Sequence, residues 1–132
     1  MTKYLGIDYG AKRIGIAVSN DEGTIAFPRA TIKNDAQVFE SLTRIIADEK
    51  VQSIIIGDTR SFSNLANSVT KEAEDFAKRL KKETSLPVER VWEAGSSIEA
   101  SRYAPEGENH SDGAAAAIIL QRFLDTQGDK LQ

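Results

Sequence analysis

Apolar residues along the first third of the chain alternate with a period of two. In "YLGIDYG" the positions Leu5, Ile7 and Tyr9 fall on one face of a strand, and Tyr4, Gly6 and Asp8 on the other. "YGAK" supplies a turn, and "RIGIAVSN" predicts a second strand with Ile14, Ile16 and Val18 on one face. After the turn "DEG", the stretch "TIAFPRATIK" predicts a third strand, which Pro28 assigns to a sheet edge or a bulge because proline cannot donate to a ladder. Three strands joined by short loops predict an antiparallel meander.

The period then lengthens. Val38, Leu42, Ile45 and Ile46 recur at helical spacing behind a cap expected at Asn34 or Asp35. "VQSIIIGD" is a β-branched run apolar enough for a strand covered on both faces. Leu65, Val69, Ala73, Phe76 and Leu80 form the apolar stripe of a second helix with charges opposite. "LPVERVW" predicts a fifth strand, Ser97 to Tyr103 a short helix, "APEGENHS" a polar loop, and "DGAAAAIILQRFLD" a final helix from Asp112. The order β-β-β-α-β-α-β-α-α predicts an α/β fold: a mixed five-stranded sheet with helices on both faces. One domain is expected over residues 1–126, with 127–132 a frayed tail.

Composition narrows the chemistry. With no cysteine and one histidine, His110, any metal must be held by oxygen ligands or that imidazole, which points to Mg²⁺, Mn²⁺ or no metal. No charged-then-apolar leader opens the chain, and no apolar run approaches the ~20 residues that span a bilayer, so a cytoplasmic protein is expected. The net charge of −3 argues against an overall basic coat and leaves room for a local basic patch.

Asp8 is the residue that breaks the pattern, a carboxylate inside an apolar strand. Burying it alone costs several kcal/mol or shifts its pKa, so it requires a donor, a cation or a metal. Asp58 directly follows the fourth strand, Glu93 the fifth, and Asp112 opens the last helix. Strand ends lie about 5 Å apart in a sheet, so such carboxylates can share a cation, which removes their mutual repulsion. Each has a plainer reading: Asp112 as a helix cap, Asp58 as a turn residue paired with Arg60, and Glu93 as a solvated strand-end charge. Lys12 and Arg13 stand beside Asp8 and can serve it or a phosphate. His110 is two residues from Asp112, and its plainer reading is a loop surface residue. Ser96 and Ser97 suit a helix cap or phosphate hydrogen bonding. The cluster "KRLKK" at 78–82 ends a helix, where cations complement the macrodipole, while Lys3, Arg29 and Lys33 are scattered along the chain.

Taken together, "LGIDYGAKRIGIAVSN", "ATI", "IIIG", "FAKRL", "LPV" and "DGAAAAIILQRFL" resemble the YqgF family, also called RuvX, nearly end to end. The resemblance implies an RNase H-like fold, a divalent metal at an acidic site on the strand ends, and a structured or branched nucleic acid as substrate. It also implies a role in maturing the 5′ end of pre-16S rRNA, with the ribosome precursor as a partner, or in resolving Holliday junctions. By position it assigns Asp8, Glu93 and Asp112 to the metal and the attacking water, and it leaves a monomer or a homodimer open. "WEAGSS" stands where the family has Asp-Glu-Arg-Leu-Thr-Thr, so Trp92 replaces an aspartate and Ala94 an arginine. "GDTRS" replaces Gly-Leu-Pro and adds Asp58 and Arg60, and Asp58 is a candidate substitute carboxylate. The competing function is a nucleic-acid-binding relative with weak or no catalysis. "GIDYG" also resembles the phosphate loop of actin-like and sugar-kinase ATPases, which close two lobes over ATP where this chain has one.

Overall fold

In a computed structural model, residues 2–10, 12–58, 67–92 and 111–130 are described, with backbone alone at 58, 67–70, 92, 111–112 and 127–130. The strands are β1 (Tyr4–Asp8), β2 (Arg13–Ser19), β3 (Ala26–Lys33), β4 (Ser53–Asp58) and β5 (Val88–Trp92). The helices are α1 (Val38–Glu49), α2 (Asn67–Thr84) and α3 (Ser111–Lys130). One five-stranded sheet has the order β3-β2-β1-β4-β5, with β1–β2 and β2–β3 antiparallel and β1–β4 and β4–β5 parallel. The meander and the crossover strands of the sequence reading thus share one mixed sheet.

Strand alternation splits the core into two layers. Leu5, Ile7, Ile14, Ile16, Val18, Ile54 and Ile56 pack with Val38, Leu42 and Ile45 of α1 and with Phe76, Ala77 and Leu80 of α2. On the other face, Ala17 and Ile55 pack with Ala116, Leu120, Phe123 and Leu124 of α3. Each fully buried leucine or isoleucine in these layers stabilises the fold by about 1.5–3 kcal/mol. Phe76 anchors α2 between Tyr9 and Phe39, at ring-centroid distances of 5.0 and 5.1 Å. The Arg79 guanidinium lies 4.3 Å over the Phe39 ring.

The α3 layer is thin because the sheet offers it small residues. A Cβ on Gly6 would lie 2.7 Å from Leu120 Cβ and 3.2 Å from the Ala116 carbonyl oxygen. One on Gly57 would lie 2.7 and 2.8 Å from Cγ2 and Cγ1 of Ile119. These glycines let the helix backbone approach the strands at a distance that no side chain permits.

Pro28 satisfies both options of the sequence reading: β3 is an edge strand, and the β2–β3 register shifts between Ile16 and Ala17, opposite Pro28 and Ala30. Two helix ends differ from expectation. Neither Asn34 nor Asp35 caps α1, whose N-cap is Gln37 with no side-chain cap bond. Asp35 instead accepts the Gln37 amide in a local turn, and Asn34 donates from Nδ2 to the Gly10 carbonyl at 2.9 Å, a tertiary partner that outcompetes the helix end. The α3 backbone continues to Lys130, past Asp125, where the sequence pattern ends the last helix. Gly128 costs a helix only about 1 kcal/mol when the chain does not turn there. The short helix expected over 97–103 and the loop after it lie outside the described residues.

Candidate active site

Asp8 is the last residue of β1 and is 4% exposed. It shares the sheet face of Tyr4 and Gly6, the face covered by α3, and pairs with Gly15 of β2 on one side and Gly57 of β4 on the other. Both partners lack a side chain, so the carboxylate stands in a pocket of small residues where the apolar α3 contact ends. Asp8 is engaged within the fold.

Helix α3 runs antiparallel to β1. Phe123 meets the Tyr4 ring edge-on at 5.4 Å, and Leu120 and Ala116 cover Gly6. Position 112 lies one turn before Ala116, about 6 Å along the helix, while Asp8 lies two residues past Gly6, about 6.6 Å along the strand. The first turn of α3 is therefore level with Asp8. Gly113 gives the same result independently, since its Cβ position would be 3.6 Å from Thr31 Oγ1, and Thr31, Gly15 and Asp8 form one row across the sheet.

Asp58 ends β4 one residue past Gly57, and its backbone pairs with Trp92, the residue before Glu93. The backbones bearing Asp8, Asp58 and Asp112 thus reach one end of the sheet, on adjacent strands and the covering helix. Glu93, Arg60, Ser96, Ser97 and His110 lie outside the described residues. Among the described side chains no three Asp, Glu or His groups gather closely enough to hold a metal.

Lys12 and Arg13 are exposed at the β1–β2 corner, four and five residues past Asp8, and Arg13 is diagonal to Asp8 across its pair with Gly15. Gly10 is required there, because a Cβ would lie 2.5 Å from the Arg13 carbonyl oxygen. The corner is tied to the end of β3 by the Asn34 amide, which donates to the Lys12 carbonyl at 2.9 Å, and by the Asn34 side chain on Gly10. Sequence reasoning missed Asn34, since a polar residue before a helix signals a cap and nothing local reveals a distant carbonyl. The "KRLKK" cluster lies elsewhere: Lys78, Lys81, Glu74 and Arg90 line a groove of about 260 Å³ between α2 and β5. Both elements' contacts there belong to the face opposite Asp8, as the pairing of Arg90 with core residue Ile56 requires.

A family model described as RuvX: Holliday junction resolvase matches residues 2–126. The chain belongs to the RuvX family. A RuvX relative from Oleidesulfovibrio alaskensis, named "Putative pre-16S rRNA nuclease", is 35% identical over 97% of this chain and 95% of its own. One of the same name from Nitratidesulfovibrio vulgaris is 36% identical over 92% of each. Among solved structures, Thermus thermophilus RuvC in complex with Holliday junction substrate superposes with a TM-score of 0.62 at 13% identity, over 97% of this chain and 96% of that one. The fowlpox virus Holliday junction resolvase gives 0.53 at 14%, over 94% and 99%. This RuvX chain therefore has the RNase H-like fold of RuvC-type resolvases, and its family is one of nucleases, hydrolases of phosphodiester bonds. Among the described residues no helix is long and apolar enough to cross a membrane.

Proposed function

We propose that this RuvX protein is a divalent-metal-dependent nuclease of structured nucleic acid that trims the 5′ end of pre-16S rRNA in the cytoplasm. The observation that carries the reading is Asp8, a buried carboxylate at a strand end, level with the first turn of α3. The donor chemistry suits Mg²⁺ or Mn²⁺, since Asp8, Glu93 and Asp112 are hard oxygen ligands and the chain offers no thiolate. When bound, such an ion supplies an activated water and neutralises charge on the phosphate under attack.

The chain's own residues supply the rest. The small partners Gly15 and Gly57 leave Asp8 room to reach a ligand, and the packing of α3 on Gly6 fixes the helix that bears Asp112 against the same strand end. Lys12 and Arg13, on the rigid corner beside Asp8, hold the phosphate backbone of the substrate. Arg60, Ser96, Ser97 and His110 are proposed as further substrate contacts, and Asp58 as a substitute carboxylate.

The test is cleavage of a structured RNA carrying the 16S 5′ leader, and of a four-way DNA junction, with Mn²⁺. Asp8→Asn should reduce cleavage by more than the ~10–100-fold that loss of an outer-shell group costs, with the thermal melt retained. Asp58→Asn on the same substrates decides whether that residue serves. Trp92 and Ala94, where the family has aspartate and arginine, favour a second reading as a nucleic-acid binder without catalysis. Identical cleavage traces for wild type and Asp8→Asn would leave that reading standing.

A further inference from the structure

Arg13 opens β2, Lys33 closes β3, and the two are register partners, both exposed. Their neighbours Ile14 and Ile32 face the α1–α2 core, so positions 13 and 33 belong to the opposite face, that of Asp8 and α3. Directly opposed residues in such a pair hold their Cβ atoms about 4.5–5.5 Å apart, and like charges there destabilise the pair. Arg13 in turn is diagonal to Asp8 through Gly15, at about 7–8 Å.

The bulge creates this juxtaposition. The register at the hairpin end pairs Val18 with Phe27 and Ala17 with Pro28; continued unbroken, it would bring Ile32 opposite Arg13 and turn Lys33 to the other face. The shift between Ile16 and Ala17 moves Lys33 onto the Asp8 face instead. The resulting corner is held rigidly by Gly10 and Asn34.

Several other cations are spent on the fold, Lys3 and Arg29 on Glu49, Arg79 on Glu83 and Arg90 on Glu74, whereas Lys50 and the α2 lysines Lys71, Lys78, Lys81 and Lys82 make no ion pair among the described residues. Arg13 has a partner of its own. The ammonium groups of Lys12 and Lys33 make no ion pair or hydrogen bond among the described residues. The unpartnered Lys33 ammonium opposite the Arg13 guanidinium, diagonal to a buried carboxylate and with Lys12 one residue before β2, is arranged for an external anion carried by the molecule that Asp8 serves.

We infer that Lys12, Arg13 and Lys33 form a seat for a backbone phosphate, and that Lys33 directs the nucleic acid away from Asp8 across the β2–β3 edge of the sheet. This rests on the nuclease reading above and adds the path of the substrate to it. The ligand class is a phosphodiester backbone, read without regard to base. The second basic cluster, on α2, lies on the far face and takes no part.

Affinity is measured by fluorescence anisotropy on a labelled four-way DNA junction and a labelled RNA hairpin, in EDTA, between about 50 and 200 mM KCl. Lys33→Gln should bind several-fold more weakly at the low-salt end, and its slope of log K against log salt should be shallower by about 0.9 on duplex or 0.7 on single strands. Lys33→Arg should restore the slope, and Lys78→Gln with Lys81→Gln should leave it as in wild type. A change on one substrate alone supports the seat and identifies the nucleic acid it serves. A wild-type slope in Lys33→Gln, with wild type binding and cleaving, overturns this path and leaves the nuclease reading intact. Absence of salt-dependent wild-type binding to either substrate overturns both.

Discussion

Gly57→Ala tests whether the close seat of α3 holds the site end of the molecule together. The added methyl would sit 2.7 and 2.8 Å from Ile119 Cγ2 and Cγ1, and nearer still to Cδ1, where ordinary contact begins at 3.4 Å. Ile119 must withdraw by more than about 0.7 Å, yet it is fully buried beside Ala115, Val91 and Ile118. The helix cannot simply rise, because Leu120 and Ala116 are seated against Gly6. Overpacking of this kind costs about 1–3 kcal/mol. With an unfolding entropy of about 2.1 cal/mol/K per residue over 132 residues, each kcal/mol lowers Tm by about 4 °C, so a fall of about 4–11 °C is expected.

Ile119→Ala alone should cost about 2–5 kcal/mol through the cavity it leaves. In the double variant the new methyl occupies part of that cavity, so stability should return close to that of Ile119→Ala, a coupling of about 1–3 kcal/mol. Urea unfolding with unchanged m values measures all four corners of the cycle. Additivity within about 0.5 kcal/mol, or a Gly57→Ala protein as stable as wild type, would refute the seat.

Two further outcomes follow from geometry. Glu49 is held below the usual carboxylate range by the Arg29 hydrogen bond first and the Lys3 hydrogen bond second, so its contribution is present above that range and lost as pH falls through the lowered value. Glu49→Gln should therefore lose about 1 kcal/mol near neutrality and show a shallower acid limb in melts taken from about pH 7 to 3; parallel curves would remove the clamp from the account. Gly10→Ala should cost about 1–3 kcal/mol and lower cleavage with it, because the obstructing atom is the Arg13 backbone oxygen, which cannot yield as a side chain would; a wild-type Tm and rate would show that the corner adapts.

Much of the fold was legible because burial imposes a period. Ile14, Ile16 and Val18 announce a strand, Ile54 to Ile56 one covered on both faces, and Phe76 and Leu80 a helical stripe, each from spacing alone. Asp8 stood out as the violation of such a period. What spacing does not encode is which elements meet. The role of Gly6 and Gly57 becomes visible only when Leu120 and Ile119 are set over them. Asn34 read as a cap because its partner, Gly10, lies in another loop. Lys33 is one scattered cation in the sequence, and only a register shift of a single residue brings it opposite Arg13.

The closure of α3 over β1 has a consequence for biosynthesis. Tyr4 waits for Phe123 and Gly6 for Leu120, so the opening strand stays uncapped on one side until residues near 120 have emerged from the translating ribosome. Contacts so distant along the polymer form late, after the local hairpin and helices. A nascent molecule cut short before that point has the hairpin and its cations but lacks the helix that covers the Asp8 face of the sheet.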